Sequence, residues 1–323
     1  RRLGGGGGAG VRAGLNHAAL ALGCVACVCL VVAHVNNQWI KPLPTRRATS
    51  FSVEEVRQGF ATVPLVVVVN LFFAMGYNAT NTAFPRQACQ MNTLIGGAQL
   101  NGTQMNLGDA FAIIACSPLF EGVLFPLIRR LKGSPVRLGQ KLVAGLLVAA
   151  LGNAVAARLE VQRRQAPLLC GEAPSRCAPA GVHMRDISAF WMLVPYALIG
   201  AAEVLVNPCM FYFCYTAAPP KVRSLVQAFN LFFVGAVPSA FTSVAVAATL
   251  PDDLDSSRLE YYYILNVACA LAGVLAYFLV TRCGSSGQDL KDGAEEDPGV
   301  AQERPADRAA ELQEEAAPCR DDA

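Results

Sequence analysis

Seven long apolar runs, broken by short polar segments, dominate this chain: Leu15 to Val35, Ala61 to Phe84, Leu107 to Arg129, Val136 to Arg158, Ser188 to Tyr215, Leu225 to Leu250 and Tyr261 to Thr281. At 1.5 Å of rise per residue, about 20 such residues cross a hydrocarbon core roughly 30 Å thick. The pattern predicts an all-α, polytopic membrane protein. Short loops join the last six runs, so those helices are expected to pack as antiparallel neighbours, with Gly, Ala and Ser allowing close backbone approach. The chain then divides into a Gly-rich segment at 1–14, a hydrophobic helix at 15–35, a cytoplasmic linker at 36–60, a six-helix bundle at 61–282 and a tail at 283–323.

Polar residues inside the runs carry the functional signal. Glu203 stands mid-way along the apolar stretch from Phe190 to Tyr215, where a carboxylate costs about 2.5–3.5 kcal/mol on insertion scales and by default faces a cavity or a partner. Two readings are open: an ion pair that fixes packing, or a titrating, substrate-facing carboxylate. Asp109 opens its helix, which fits either a first-turn dipole interaction or a place near a cavity. Glu121 lies between Pro118 and Pro126, in a helix those prolines are expected to kink. Asn70, Asn78, Asn81 and Asn207 complete the set, with Asn78, Thr80 and Asn81 clustered after Gly76; interhelical hydrogen bonding is the plain reading of that cluster.

Composition sharpens the picture at three points. Hydrophobic residues make up 54% of the 323, which excludes a soluble two-domain reading. The total charge is near neutral, yet the segment after Arg282 holds twelve acidic against four basic residues, leaving a basic membrane body and an acidic tail expected to be disordered. Of the twelve cysteines, most sit in apolar helices as small hydrophobes. Cys24, Cys27 and Cys29 do not read as a metal site, whereas Cys170 and Cys177, in a polar loop, are candidates for a short disulfide in an oxidising compartment.

Arg129, Arg130, Lys132, Arg137 and Lys141 surround one tight connection without an acidic residue, which places that loop in the cytoplasm. The loop with Lys221 and Arg223 falls on the same side. Opposite lie the Asp252, Asp253, Asp255 loop, the Cys170 and Cys177 loop, and the glycosylation acceptor Asn101 in Asn101-Gly102-Thr103. Arg163, Arg164, Arg176 and Arg185 on that outer side run against the charge rule. His17, His34 and His183 lie outside the main bundle. No phosphate loop, zinc-protease histidine pair or nucleophile elbow interrupts the helices, so neither an enzyme, a cofactor, a metal nor a nucleic-acid partner is expected.

The residues around Glu203 go further. The stretch PYALIGAAEVLVNPCMFYFCYTAAPPKVRS resembles the tenth helix of the proton-coupled oligopeptide transporters (the POT/PTR branch of the major facilitator superfamily) through Tyr196, Gly200, Glu203, Pro208, Tyr215, Pro219 and Arg223. NLFFAMGYNATNTAFPRQACQMN is similar to the seventh helix through Phe72, Tyr77, Thr82, Gln87 and Met91, and SPLFEGVLFPLIRRL to the eighth through Pro118, Glu121 and Pro126. The resemblance runs from about Val56 to Arg282 and implies helices seven to twelve, the carboxy-terminal bundle of a major facilitator fold. Leu15 to Val35 is then the end of a sixth helix or a linker helix.

That resemblance implies proton-coupled symport of di- and tripeptides, or carriage of nitrate or another small solute. Glu203 corresponds to the carboxylate that meets a peptide's amino terminus and pairs with a lysine of the amino-terminal half. Tyr77, Asn78, Asp109 and Asn207 join it as candidate substrate residues, with Glu203 the candidate for proton coupling. Phe73, Tyr77 and Asn78 stand where the seventh helix often carries Trp, an acid and Gln, and Asp109 stands where peptide carriers commonly have Asn. The expected partners are a peptide or related solute, protons, the lipid bilayer and a further six-helix half. A non-transporting half-carrier, serving as a membrane scaffold or subunit, is the alternative from another class.

Overall fold

A computed structural model describes Val25 and residues 53–169, 174–178, 181–250, 254–256 and 258–283. The expected helix at 15–35, the Cys24, Cys27 and Cys29 group, Cys170 and the acidic tail lie outside the described residues. Nine α-helices run through the described part: α1 (Val53–Ala61), α2 (Val63–Tyr77), α3 (Ala83–Cys89), α4 (Leu107–Leu119), α5 (Phe125–Lys132), α6 (Leu138–Gln165), α7 (Leu193–Thr216), α8 (Arg223–Thr249) and α9 (Leu259–Cys283). Together they make six rods long and apolar enough to cross a membrane, the first built from α1 to α3 and the second from α4 and α5.

The first rod begins earlier than hydropathy suggests. The expected linker at 36–60 is helical from Val53 onward, because α1 is amphipathic: Val56, Gly59 and Phe60 lie against Val222, Val226 and Phe229. Phe60 meets Phe229 edge to face with ring centres 5.2 Å apart, and Glu55 reaches Lys221 at 3.1 Å. A span defined by unbroken apolar sequence stops at the polar residues of α1 and misses its buried stripe.

Two interruptions shape the rods. After Tyr77 the first rod tightens into a 3-10 turn, Asn78–Thr80, before α3 resumes. The Thr80 hydroxyl donates to the Tyr77 carbonyl at 2.7 Å and the Thr82 hydroxyl to the Asn78 carbonyl at 2.8 Å, so short polar side chains supply the bonds that a regular helix would have made with its backbone. In the second rod Pro118 removes a donor, and a π-helical turn at Phe120–Leu124 follows before α5 starts with Pro126 in its first turn. The kink expected between the two prolines is thus a π turn. Gly133, at φ 72°, ends α5 in the left-handed region, where a residue without a Cβ fits at no steric cost.

The rods pack in the lateral order α4, α7, α6, α9, α2, α8, with α7 also meeting α8. Small residues set the α6–α7 contact: a Cβ on Gly145 would collide with Val206, and one on Gly152 would press on Ile199. Asparagines bridge the other pairs. Asn70 donates to the Asn230 side chain at 2.7 Å, joining α2 to α8, while Asn266 donates to Asn153 at 3.2 Å, joining α9 to α6. Such bonds are worth about 0.6 kcal/mol each in a bilayer, so they fix register more than they supply stability.

Opposite the basic loop, the bundle end is closed by irregular chain. A two-residue hairpin, Leu94–Ile95 with Ala98–Gln99, turns through Gly96 and Gly97 at φ 57° and 87°, the backbone that tight hairpins demand. Here the disulfide expectation is corrected: Cys177 is bonded to Cys89, at the end of α3, with Cα atoms 5.5 Å apart, and not to Cys170. The reason is positional. The 174–178 segment folds back over the end of α3, where the Ser175 hydroxyl donates to the Cys89 carbonyl at 2.6 Å.

The same end resolves the arginines that ran against the charge rule. Arg163 is fully buried and forks onto equally buried Glu160 with two bonds of 2.8 Å, and its third nitrogen reaches Asp255 at 3.0 Å. Arg185 binds the other oxygen of Asp255 at 2.6 Å and Arg164 binds Glu260 at 2.8 Å. Three of the four basic residues are therefore neutralised in place. Burial opposes the charge on Asp255, but the bond to Arg185 and the charges of Arg163 and Arg185 outweigh it and hold this carboxyl below its ordinary range.

Candidate ligand site around Glu203

Three consecutive turns on one face of α7 build the site: Gly200, Glu203 and Asn207. Asn207 donates to Glu203 Oε1 at 3.0 Å, an i, i+4 bond that holds the carboxylate against its own helix. Glu203 Oε2 is buried without a short hydrogen bond, and the Tyr77 hydroxyl is the further side-chain donor directed at the carboxylate. Tyr77 comes from the last turn of α2, its hydroxyl facing the same carboxylate. The break at Asn78–Thr80 ends the helix there and leaves Tyr77 at its tip.

Asp109 enters from the first turn of α4. It is 8% exposed, and its Oδ1 is buried without a hydrogen-bond partner. A Cβ on Gly200 would lie 2.7 Å from that oxygen and 2.6 Å from the Asp109 carbonyl. The missing side chain at position 200 is therefore what lets Asp109 seat one helical turn from Glu203, within electrostatic range of it. Tyr196, one turn further along α7, donates to the Thr80 carbonyl at 3.0 Å and meets Phe84 edge to face, bracing the wall behind Asp109.

Tyr77, Asp109, Glu203 and Asn207 are thus brought together as expected. Asn78 is not: its side chain donates to Thr242 on α8 at 3.2 Å, so it ties helices instead of meeting Glu203. Glu121 is exposed on the π turn and pairs with Lys141 at 3.2 Å, and that lysine also sits 4.0 Å over the Phe125 ring. Asn101 is exposed at the disulfide end, where its side chain accepts from Thr103 N at 3.1 Å. Sequence reading did not weigh Tyr196 and Gly200 as site residues; the i, i+3 spacing of Gly200 and Glu203 was the available signal.

Among the described residues no lysine or arginine pairs with either carboxylate of the site. The donors that meet Glu203, Asn207 and Tyr77, are neutral. Two acids within electrostatic range of each other, each with a buried oxygen lacking a short hydrogen bond, suit a ligand cation or a proton.

The profile of the PTR2 family, described as the POT family, matches residues 16–260. The chain belongs to the POT family. Among curated relatives, the Arabidopsis thaliana proteins NRT1/PTR FAMILY 8.5 and 8.3 are each 27% identical to it, over 250 and 257 residues. Those alignments take in 73% and 75% of this chain but only 40% and 42% of the relatives, so the chain spans less than half their length.

Solved POT structures share the fold. An auto-inhibited POT family peptide transporter superposes with a TM-score of 0.58 at 21% identity, covering 71% of this chain and 42% of that one. The POT family transporter PepTSo gives 0.57 at 18% identity, covering 88% and 56%. A POT transporter in complex with 5-aminolevulinic acid gives 0.55 at 12%, covering 85% and 48%. The six crossing rods and the family match make this a multi-pass membrane protein with the POT form of the major facilitator fold.

Proposed function

We propose that this chain supplies the carboxy-terminal half of a proton-coupled carrier for small amine-bearing solutes, di- and tripeptides first among them. The observation that carries the reading is Glu203: a carboxylate in the middle of a crossing helix, met by the neutral donors Asn207 and Tyr77 and by no lysine or arginine among the described residues. A ligand ammonium supplies the missing cation. POT structures solved with alafosfalin and with 5-aminolevulinic acid belong to proteins that bind amine-bearing molecules, which supports the same ligand class here. A second six-helix half closes the cavity, since alternating access needs two walls around a midplane site.

Labelled dipeptide accumulation against an imposed proton gradient tests this, in the carrier that has this chain as its second half and with surface amount measured in parallel. Glu203→Gln keeps shape and hydrogen-bonding capacity but loses the charge, and is expected to abolish concentrative uptake. An uncompensated partner charge in the site costs about 3–5 kcal/mol. Wild-type uptake by Glu203→Gln at equal surface amount makes Glu203 a packing residue and ends the proposal. Uptake of nitrate without uptake of dipeptide replaces the substrate class and leaves the carrier reading in place.

A further inference from the structure

The POT resemblance leaves Asp109 unexplained, since it stands where asparagine is common in peptide carriers. Its surroundings do not behave like a helix cap: α4 has no side-chain bond at its cap, and Asp109 Oδ1 points at Gly200 with no donor in reach. This chain encloses that oxygen with its own residues, so a second half-bundle does not change its burial. A buried carboxyl without a donor or a cation is held most cheaply in its neutral form. Glu203 Oε2 also lacks a short hydrogen bond, with only neutral donors on its carboxylate, and two carboxylates within electrostatic range in a low dielectric resist ionising together.

We propose that Asp109 and Glu203 form a coupled carboxyl pair that holds one proton between its two members at neutral pH. Asp109 is the enclosed member and Glu203 the one open to ligand. The titratable or charged groups facing the pair among the described residues are Tyr77 from α2 and Tyr196 from α7, both neutral at neutral pH. No such group faces it from α6 or α8; Lys141 of α6 is engaged by Glu121. Arrival of a ligand ammonium at Glu203 favours that carboxylate in its charged form and leaves the proton on Asp109. The site can then carry ligand and proton at once. That last consequence rests on the proposed carrier function; the held proton does not.

The test therefore uses no substrate. Infrared spectra of the full chain in lipid, in H2O and D2O with carboxyl-labelled Asp, report protonated carboxyl groups by their carbonyl stretch, and subtracting the spectrum of the Asp109→Asn, Glu203→Gln double variant removes the contribution of every other carboxyl. The expected result is one deuterium-sensitive band at neutral pH, absent from the Asp109→Asn, Glu203→Gln double variant. In either single variant the remaining acid titrates at lower pH than the pair, because its like-charged neighbour has gone. No band in the wild-type chain overturns the proposal. So does a single variant in which the remaining acid titrates unchanged, since the two groups are then independent. Asp109→Asn is close to isosteric, and Glu203→Gln gives an independent arm should the first fail to fold; neither outcome depends on whether peptides are carried.

Discussion

Replacing Arg163 by Met gives the sharpest test of how the end opposite the basic loop is held. The guanidinium makes two 2.8 Å bonds to Glu160 and one contact of 3.0 Å to Asp255, and both Arg163 and Glu160 are fully buried. Removing the arginine strands the Glu160 carboxylate away from water and takes from Asp255 one of the two arginines that pair with it. Breaking one partner of such a pair costs roughly 3–5 kcal/mol, whereas replacing both by apolar residues is often close to neutral. Arg163→Met is therefore expected to lower unfolding stability by about that amount, some two to three and a half decades in the folded-to-unfolded ratio. Glu160→Leu with Arg163→Met should recover most of it. Reversible unfolding of the purified chain in mixed micelles, followed by circular dichroism, measures both. A loss below about 1 kcal/mol for the single variant, or a double variant as unstable as the single, refutes the argument that an uncompensated buried charge sets the penalty.

Two further outcomes are expected. Digestion without reduction should yield a peptide pair joined through Cys89 and Cys177, and Cys177→Ser should expose one new reactive thiol at Cys89; a Cys170 to Cys177 peptide would contradict the fold of this end. Acid should loosen the same region. Because Asp255 is held below the ordinary carboxylate value of about 3.9, its contribution is complete above that value and is lost as pH falls through the lower folded-state value. Hydrogen exchange at residues 254–256 and 181–188 should therefore rise only below about pH 4, and Asp255→Asn should show the faster exchange already at neutral pH.

The six-rod architecture was legible because a bilayer forces long apolar runs, and Glu203 stood out for the same reason: lipid makes one charge conspicuous. Asp109 and Tyr77 could be named but not placed, since their approach to Glu203 depends on the notch at Gly200 and on the helix break after Tyr77. What stayed hidden is non-local. Cys89 looked like one more apolar-helix thiol, and its bond to a residue 88 positions later leaves no trace in spacing. The arginines at 164 and 185 run against the charge rule because their acidic partners lie 96 and 70 residues away, while Arg163 pairs both with nearby Glu160 and with distant Asp255. α1 falls within the expected linker because its apolar stripe is one face wide, too narrow to make a continuous apolar run.

The Cys89–Cys177 bond also acts as a parity check on membrane insertion. The segment it encloses contains two crossings, Gly102–Lys132 and Leu138–Gln165. Two thiols reach the same compartment only when an even number of crossings separates them. If either helix stalled at the interface, the thiols would emerge on opposite faces of the bilayer, and no oxidant could join them. The bond thus excludes chains in which only one helix of the central hairpin has crossed, and the unoxidised fraction of newly made chains reports how often that single-crossing error occurs.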